Sequence, residues 1–253
     1  MGNLLSFLLL ARLLGHPLAA LVIVVIIYLV VNRRFSGLLP DVTRSWRRAA
    51  HIRQLRSSVT LNPADAKSLM ELGAMLLSAG RPKEALPCLE QAASKMDDHA
   101  HALYYLGAAY AETGQFAEAV PILRKAIGLR PEVAHGMPYV YLAQVTLDML
   151  ELGQTATDEQ VEAWVTGVIR YGDAEVCYRM GSVLLQAGKS AEARQVFLEA
   201  LDHYQRSPGF VRRAARIWAL RSRLSLRKMG PALSDVRHSD EEDAQKKVPR
   251  TKR

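Results

Sequence analysis

Leu69, Leu72, Gly73 and Leu76 stand at i, i+3, i+4 and i+7, which lays them along one face of a helix, and Gly80 follows where that helix should stop. Ala85, Leu89 and Ala92 repeat the spacing on a second helix. The whole pattern then recurs 34 residues on, as Leu106, Gly107, Gly114, Ala119, Leu123 and Ala126. A period of this length marks a stacked array, because one helical hairpin cannot bury its apolar face without a neighbour of the same shape. Small residues belong where two helices approach closely, so the spacing predicts Gly73 against Ala85 and Gly107 against Ala119.

Two further units follow. The third is irregular: Tyr139, Leu142 and Ala143 lead its first helix, but Gly107 to Ala143 is 36 residues. Its second helix, Glu159 to Tyr171 with Val161, Trp164, Val165 and Val168, waits for a loop capped at Thr157 or Asp158. The fourth returns to pattern with Met180, Gly181, Leu184, Gly188, Ala193, Phe197 and Ala200. Asn62-Pro63-Ala64-Asp65 reads as the turn and cap before the first unit. Ser207-Pro208 opens a last helix, on which Val211, Ala214, Ala215 and Trp218 form an apolar face beside a cluster of arginines. That helix reads as the polar-faced cap an array requires, or as a basic amphipathic helix for a membrane or an acidic surface.

Before the array the character changes. Leu18 to Val31 carries no charge and extends through Leu13, Leu14 and Gly15, interrupted only by His16 and Pro17. About 19 to 20 such residues cross a hydrocarbon core, so the stretch predicts a transmembrane helix. A cleaved signal peptide fits less well, since no basic leader precedes it and no small-residue cleavage site follows. Arg33, Arg34, Arg44, Arg47, Arg48, Arg53 and Arg56 follow the span, and the positive-inside rule then predicts a single-pass inner-membrane protein with its repeats in the cytoplasm. Arg33, Arg34, Trp46, Arg47 and Arg48 are the expected contacts to anionic headgroups.

Charge sharpens this division. Basic residues outnumber acidic ones 7 to 1 over 32–56 and 14 to 5 over 206–253, while the balance over 57–205 is 11 to 19. An acidic body thus lies between two basic ends. The basic ends lack interleaved aromatics, which disfavours nucleic acid as a ligand. The two cysteines, Cys88 and Cys177, offer neither a disulfide framework nor metal spacing, and His99 and His101 have no third ligand beside them. Phosphate loops and nucleophile turns are missing as well. The sequence therefore predicts no enzyme, no cofactor, no metal and no small-molecule ligand.

Leu103, Leu106, Gly107, Tyr110, Ala119, Leu123, Ala126 and Pro131 resemble the tetratricopeptide repeat (TPR). The resemblance implies an all-α, right-handed superhelical array of antiparallel helix pairs, here with an N-terminal transmembrane helix. Together with the hydropathy and charge readings, it divides the chain into a membrane anchor over 1–34, a basic juxtamembrane link over 35–62, repeats over 63–206 (66–99, 100–133, an irregular 136–173, and 174–207), a capping helix over 208–229 and, for want of apolar periodicity, a disordered charged tail over 230–253. It also implies that the first helix of each unit lines an inner groove for a protein or peptide partner. Carried onto this chain, the fifth and ninth positions are Met70 and Ala74, Tyr104 and Ala108, Val140 and Gln144, and Tyr178 and Ser182. Members that clamp a carboxylate have Lys and Asn there, which argues against a chaperone tail and for apolar anchors. The expected function is a membrane-anchored scaffold that recruits a protein. The alternatives are an assembly factor tethered outside the cytoplasm, or a regulator linked to nucleic acid.

Overall fold

The computed structural model describes residues 42–148 and 156–230. The predicted span, Arg33, Arg34, the third unit's loop before Ala156 and the charged tail lie outside the described residues. No helix among the described residues is long and apolar enough to cross a membrane.

The stretch read as a basic link is a helix, α1 (Val42–Leu61). Ile52 and Leu55, three apart, bury one side of it, and Val59 packs beside them. Its end is set by Asn62-Pro63, since a proline pushes the residue before it out of the helical region. Asp65 then caps α2 (Ala66–Ser78), accepting from the Lys67 N–H at 3.1 Å and the Ser68 hydroxyl at 2.6 Å. Those bonds hold the Asp65 carboxyl below its ordinary pKa.

Four pairs follow: α2 with α3 (Pro82–Lys95), α4 (Ala100–Glu112) with α5 (Phe116–Leu129), α6 (Met137–Asp148) with α7 (Asp158–Tyr171), and α8 (Ala174–Gln186) with α9 (Ser190–Arg206). The regular pairs turn identically. Gly80, Gly114 and Gly188 sit at φ +71°, +80° and +77°, and the next residue's N–H reaches back to the helix, Arg81 to Leu76 O at 3.0 Å, Gln115 to Tyr110 O and Lys189 to Leu184 O at 2.9 Å. This is the Schellman arrangement, which satisfies carbonyls the helix end would leave open. Between α5 and α6 a 3-10 turn, Val133–Gly136, puts Ala134, His135 and Gly136 in left-handed conformation (φ 49°, 54° and 76°). That extra turn accounts for the lengthened spacing of the third unit.

Each glycine of a first helix meets a side chain one turn beyond the predicted alanine. A Cβ on Gly73 would collide with Leu89, and one on Gly107 would lie 2.7 Å from Leu123. Ala85 and Ala119 are fully buried as well, but the close fit is made by the leucines four residues later. Gly181 plays the same part under Phe197 at 2.7 Å. In α6 the glycine position is Ala143, and the roles reverse: Tyr139 on the first helix fills space over Gly167 on the second, 2.6 Å from a would-be Cβ.

The last helix, α10 (Gly209–Met229), packs on α9 and along α8, in the place a fifth first helix would take. Its buried side is Ala215, Ala219 and Ser222, with Trp218 half-buried. Val211 and Ala214, predicted on that side, are exposed, because the face that meets α9 is turned toward the positions four and seven after Ala215. Pro208 rather than Ser207 is the N-cap; the Ser207 hydroxyl donates back to His203 O at 2.6 Å.

Candidate functional site: the groove along the first helices

The first helices enclose a groove of about 760 Å³ between α2, α4, α6 and α8. Its floor is small, with Ala74 and Ala108, and its wall is aromatic, with Tyr104, Tyr105 and Tyr141. Tyr104 stands 4.9 Å from Tyr105 and 6.2 Å from Tyr141, ring centre to ring centre, in tilted pairs. Such pairing fixes ring positions at little entropic cost, which suits an apolar recognition surface.

Polar groups mark the rim. The Tyr141 hydroxyl donates to Glu112 Oε1 at 2.8 Å, tying α6 to the end of α4. Arg179 donates through Nε to Glu175 Oε1 at 3.0 Å on the opposite wall. Asp173 caps α8 by accepting from the Glu175 and Val176 N–H groups. Burial raises the Tyr104 and Tyr141 hydroxyls well above an ordinary phenol, and nearby Tyr105 and Tyr104 respectively add to it. Both stay protonated in any physiological solution. Burial, then His99 and Arg130, lowers His101, so this groove imidazole is held toward its neutral form.

His99 and His101 do share a contact, with rings 5.8 Å apart. His99 is the cap of α4, its Nδ1 accepting from the Ala102 N–H at 3.3 Å, and so its ring leans over the helix start.

The eight groove positions carried over from the repeat family divide. Ala74, Tyr104 and Ala108 line the hollow. Val140 is buried in the core at 4 % exposure. Met70 is half-buried and Gln144 exposed, neither in the hollow. Tyr178 lies under Trp218 of α10, centroids 5.5 Å apart, and against Phe197 at 5.9 Å, while the Ser182 hydroxyl donates to Tyr178 O. Arg179 and Arg221 lie over the Trp218 ring at 5.7 and 4.9 Å, so α10 closes the groove beyond α8.

Among the lining residues that the fifth and ninth positions miss are Tyr105, Tyr141 and Arg179, each one place after the fifth. The signal was present in the aromatic pair Tyr104-Tyr105 and in Tyr139-Val140-Tyr141, where a tyrosine flanks each apolar residue. Ala134 and His135 also line the groove, brought there by the left-handed turn.

Of the surface residues, Trp46 is 79 % exposed and Arg47 is exposed. Arg48 donates to Ser78 O at 2.8 Å, which commits it to the end of α2. Arg56 pairs with Glu84 at 2.7 Å. Trp46, Arg48, Arg53, Arg56 and Arg81 surround a second hollow, about 730 Å³, between α1 and the turn after α2.

Two tetratricopeptide repeat family models match the chain, at residues 76–135 and 178–227. A search by sequence among curated proteins finds no match. Among solved structures, TTC0263, a thermophilic TPR protein of Thermus thermophilus, superposes with a TM-score of 0.53 at 17 % identity, over 73 % of this chain and 94 % of that one. A crystal structure of MamA aligns at 21 % identity and TM-score 0.48, over 66 % of this chain and 97 % of that one. PilF of Pseudomonas aeruginosa aligns at 19 % and 0.46, over 78 % and 93 %. The first of these supports the fold, and the other two superpose too loosely to support more.

Proposed function

We propose that this chain, which carries tetratricopeptide repeats, is a non-enzymatic scaffold that holds an extended or helical segment of a protein partner in its inner groove. The observation that carries the reading is the hollow along the first helices, walled by half-buried Tyr105 and Tyr141 beside the buried Tyr104 and floored by Ala74 and Ala108. Rigid tyrosines over small residues leave room for apolar anchors of an incoming segment, and a rim of Glu112, Asp173, Glu175 and Arg179 can fix its direction. In this proposal the apolar stretch over 13–31 tethers the scaffold to the inner membrane, with the repeats on the cytoplasmic side, so that the partner is recruited to the bilayer. The charge-free run and the arginines that follow it support that part.

A photo-crosslinking residue in place of Tyr105 tests the groove, with one in place of Arg124, exposed on α5, as the control. A protein segment captured in cells from position 105 and not from 124, and lost on Tyr141→Ala, is the expected result. Capture of nothing but this chain's own tail would overturn the scaffold reading. Protease added to spheroplasts addresses the tether separately: repeats digested from outside would reverse the proposed orientation.

A further inference from the structure

Helix α10 is apolar on two opposite sides. One side is spent on the array through Ala215, Ala219 and Ser222. On the other, Phe210, Ile217, Leu220 and Leu224 follow at i, i+7, i+10 and i+14, a single stripe. Phe210 is 80 % exposed, Leu220 49 % and Leu224 47 %. The helix carries seven basic residues and no acidic one. Arg216, Arg223 and Arg227 run along one margin of the stripe and Arg213 lies within it, all exposed and without an ion pair to any described residue.

Three kinds of surface could cover such a face. A second copy continuing the array would bring α1 onto it, but α1 carries five arginines and no acid, so the two ends repel. A nucleic acid would engage the arginines and leave three large apolar side chains in water. An anionic bilayer satisfies both halves of the pattern, because the stripe enters the boundary between headgroups and acyl chains while the arginine stems extend to the phosphates. We infer that α10 lies on an anionic lipid surface through Phe210, Ile217, Leu220 and Leu224, with Arg213, Arg216, Arg223 and Arg227 on the headgroups. This contact is separate from the N-terminal tether and from the groove, and it places the closed end of the array against the bilayer.

The test uses the full chain with Cys88→Ala and Leu220→Cys, the new thiol carrying an environment-sensitive fluorophore; Cys177 is buried and does not compete for label. Vesicles of phosphatidylcholine alone are compared with a phosphatidylcholine–phosphatidylglycerol mixture. Expected are a blue shift and quenching by nitroxide lipids on the mixture, with label insertion roughly tenfold or more stronger than on the neutral vesicles and weakening as salt rises. Arg216→Glu with Arg223→Glu should cut that insertion by about tenfold or more while the melting temperature stays put. Equal insertion into both lipids, or none, overturns the inference. So does a lipid-free shift accompanied by a doubled mass, which would identify a second copy, or a response to duplex DNA alone. The fluorophore reads α10 and not the leader, so a failed tether shows itself differently, as a chain that does not float with neutral vesicles yet still responds to anionic ones.

Discussion

Gly107 has a side-chain hydrogen where Leu123 needs room, and Leu123 is itself fully buried, so neither partner can move aside. Gly107→Leu should therefore destabilise the array by at least about 1 to 3 kcal/mol, the usual cost of forcing atoms into a filled core. Urea denaturation measures it, and an unchanged midpoint would mean the hairpin is not held by this contact. Gly114 isolates a different cause. Nothing lies within 4 Å of a Cβ there, yet its φ is +80°, so Gly114→Ala should cost about 1 to 2 kcal/mol from the backbone alone. If that variant is as stable as the parent, the left-handed turn relaxes and the stop is not obligatory. Both glycines were legible as repeat positions. What the 34-residue spacing could not convey was which neighbour they admit: alanine at i and leucine at i+4 on the partner helix recur together, and only packing tells which one presses on the glycine.

At the scale of elements, the repeats were readable wherever glycine stops and small-residue contacts recur in register, and less so where tertiary contacts took over. α1 is hard to read from sequence because five of its twenty residues are arginines, while Ile52, Leu55 and Val59, the spacing that makes a buried face, are only three. The groove wall was displaced for a similar reason. Tyr141 and Arg179 follow the fifth position by one residue, and Val140, at the fifth, turns into the core. In the irregular pair the second helix depends on its cap. Thr157 Oγ1 accepts from the Gln160 N–H, and the Gln160 side chain accepts from the Thr157 N–H, both at 3.2 Å. Thr157→Ala removes that box and should cost about 1 kcal/mol, felt first in α7. Hydrogen exchange would show faster opening of the amides near Gln160 with α4 and α5 unchanged. Slowing, or an equal loss across all pairs, would argue that α7 has no local stability of its own.

α1 and the pairs form one continuous apolar core from Ile52 to Ala200, with Tyr104 and Cys177 inside it and Tyr110 and Tyr141 half-buried against it, and these groups resist losing protons. Burial, with the bond to Glu90, pushes the Tyr110 hydroxyl up to about 12, Tyr104 and Tyr141 go higher, and burial pushes the Cys177 thiol up to about 12. An unfolded chain releases the same protons near their ordinary values, about 9 for the thiol and about 10 for a phenol. These are acids whose folded pKa lies above the unfolded one. Their contribution is therefore whole below about pH 9 and declines as pH rises toward 12, because only the unfolded state gains by ionising. The urea midpoint should accordingly fall across that window. Tyr104→Phe with Tyr141→Phe keeps the rings and removes two of the hydroxyls, so the double variant should show a shallower decline above pH 10. The bond from Tyr141 to Glu112 is lost in that variant, which lowers its midpoint at neutral pH but leaves the comparison of slopes intact. A parent midpoint that holds level from pH 9 to 12 would mean that these hydroxyls reach water through the groove without unfolding, and that its aromatic wall is looser than the packing implies.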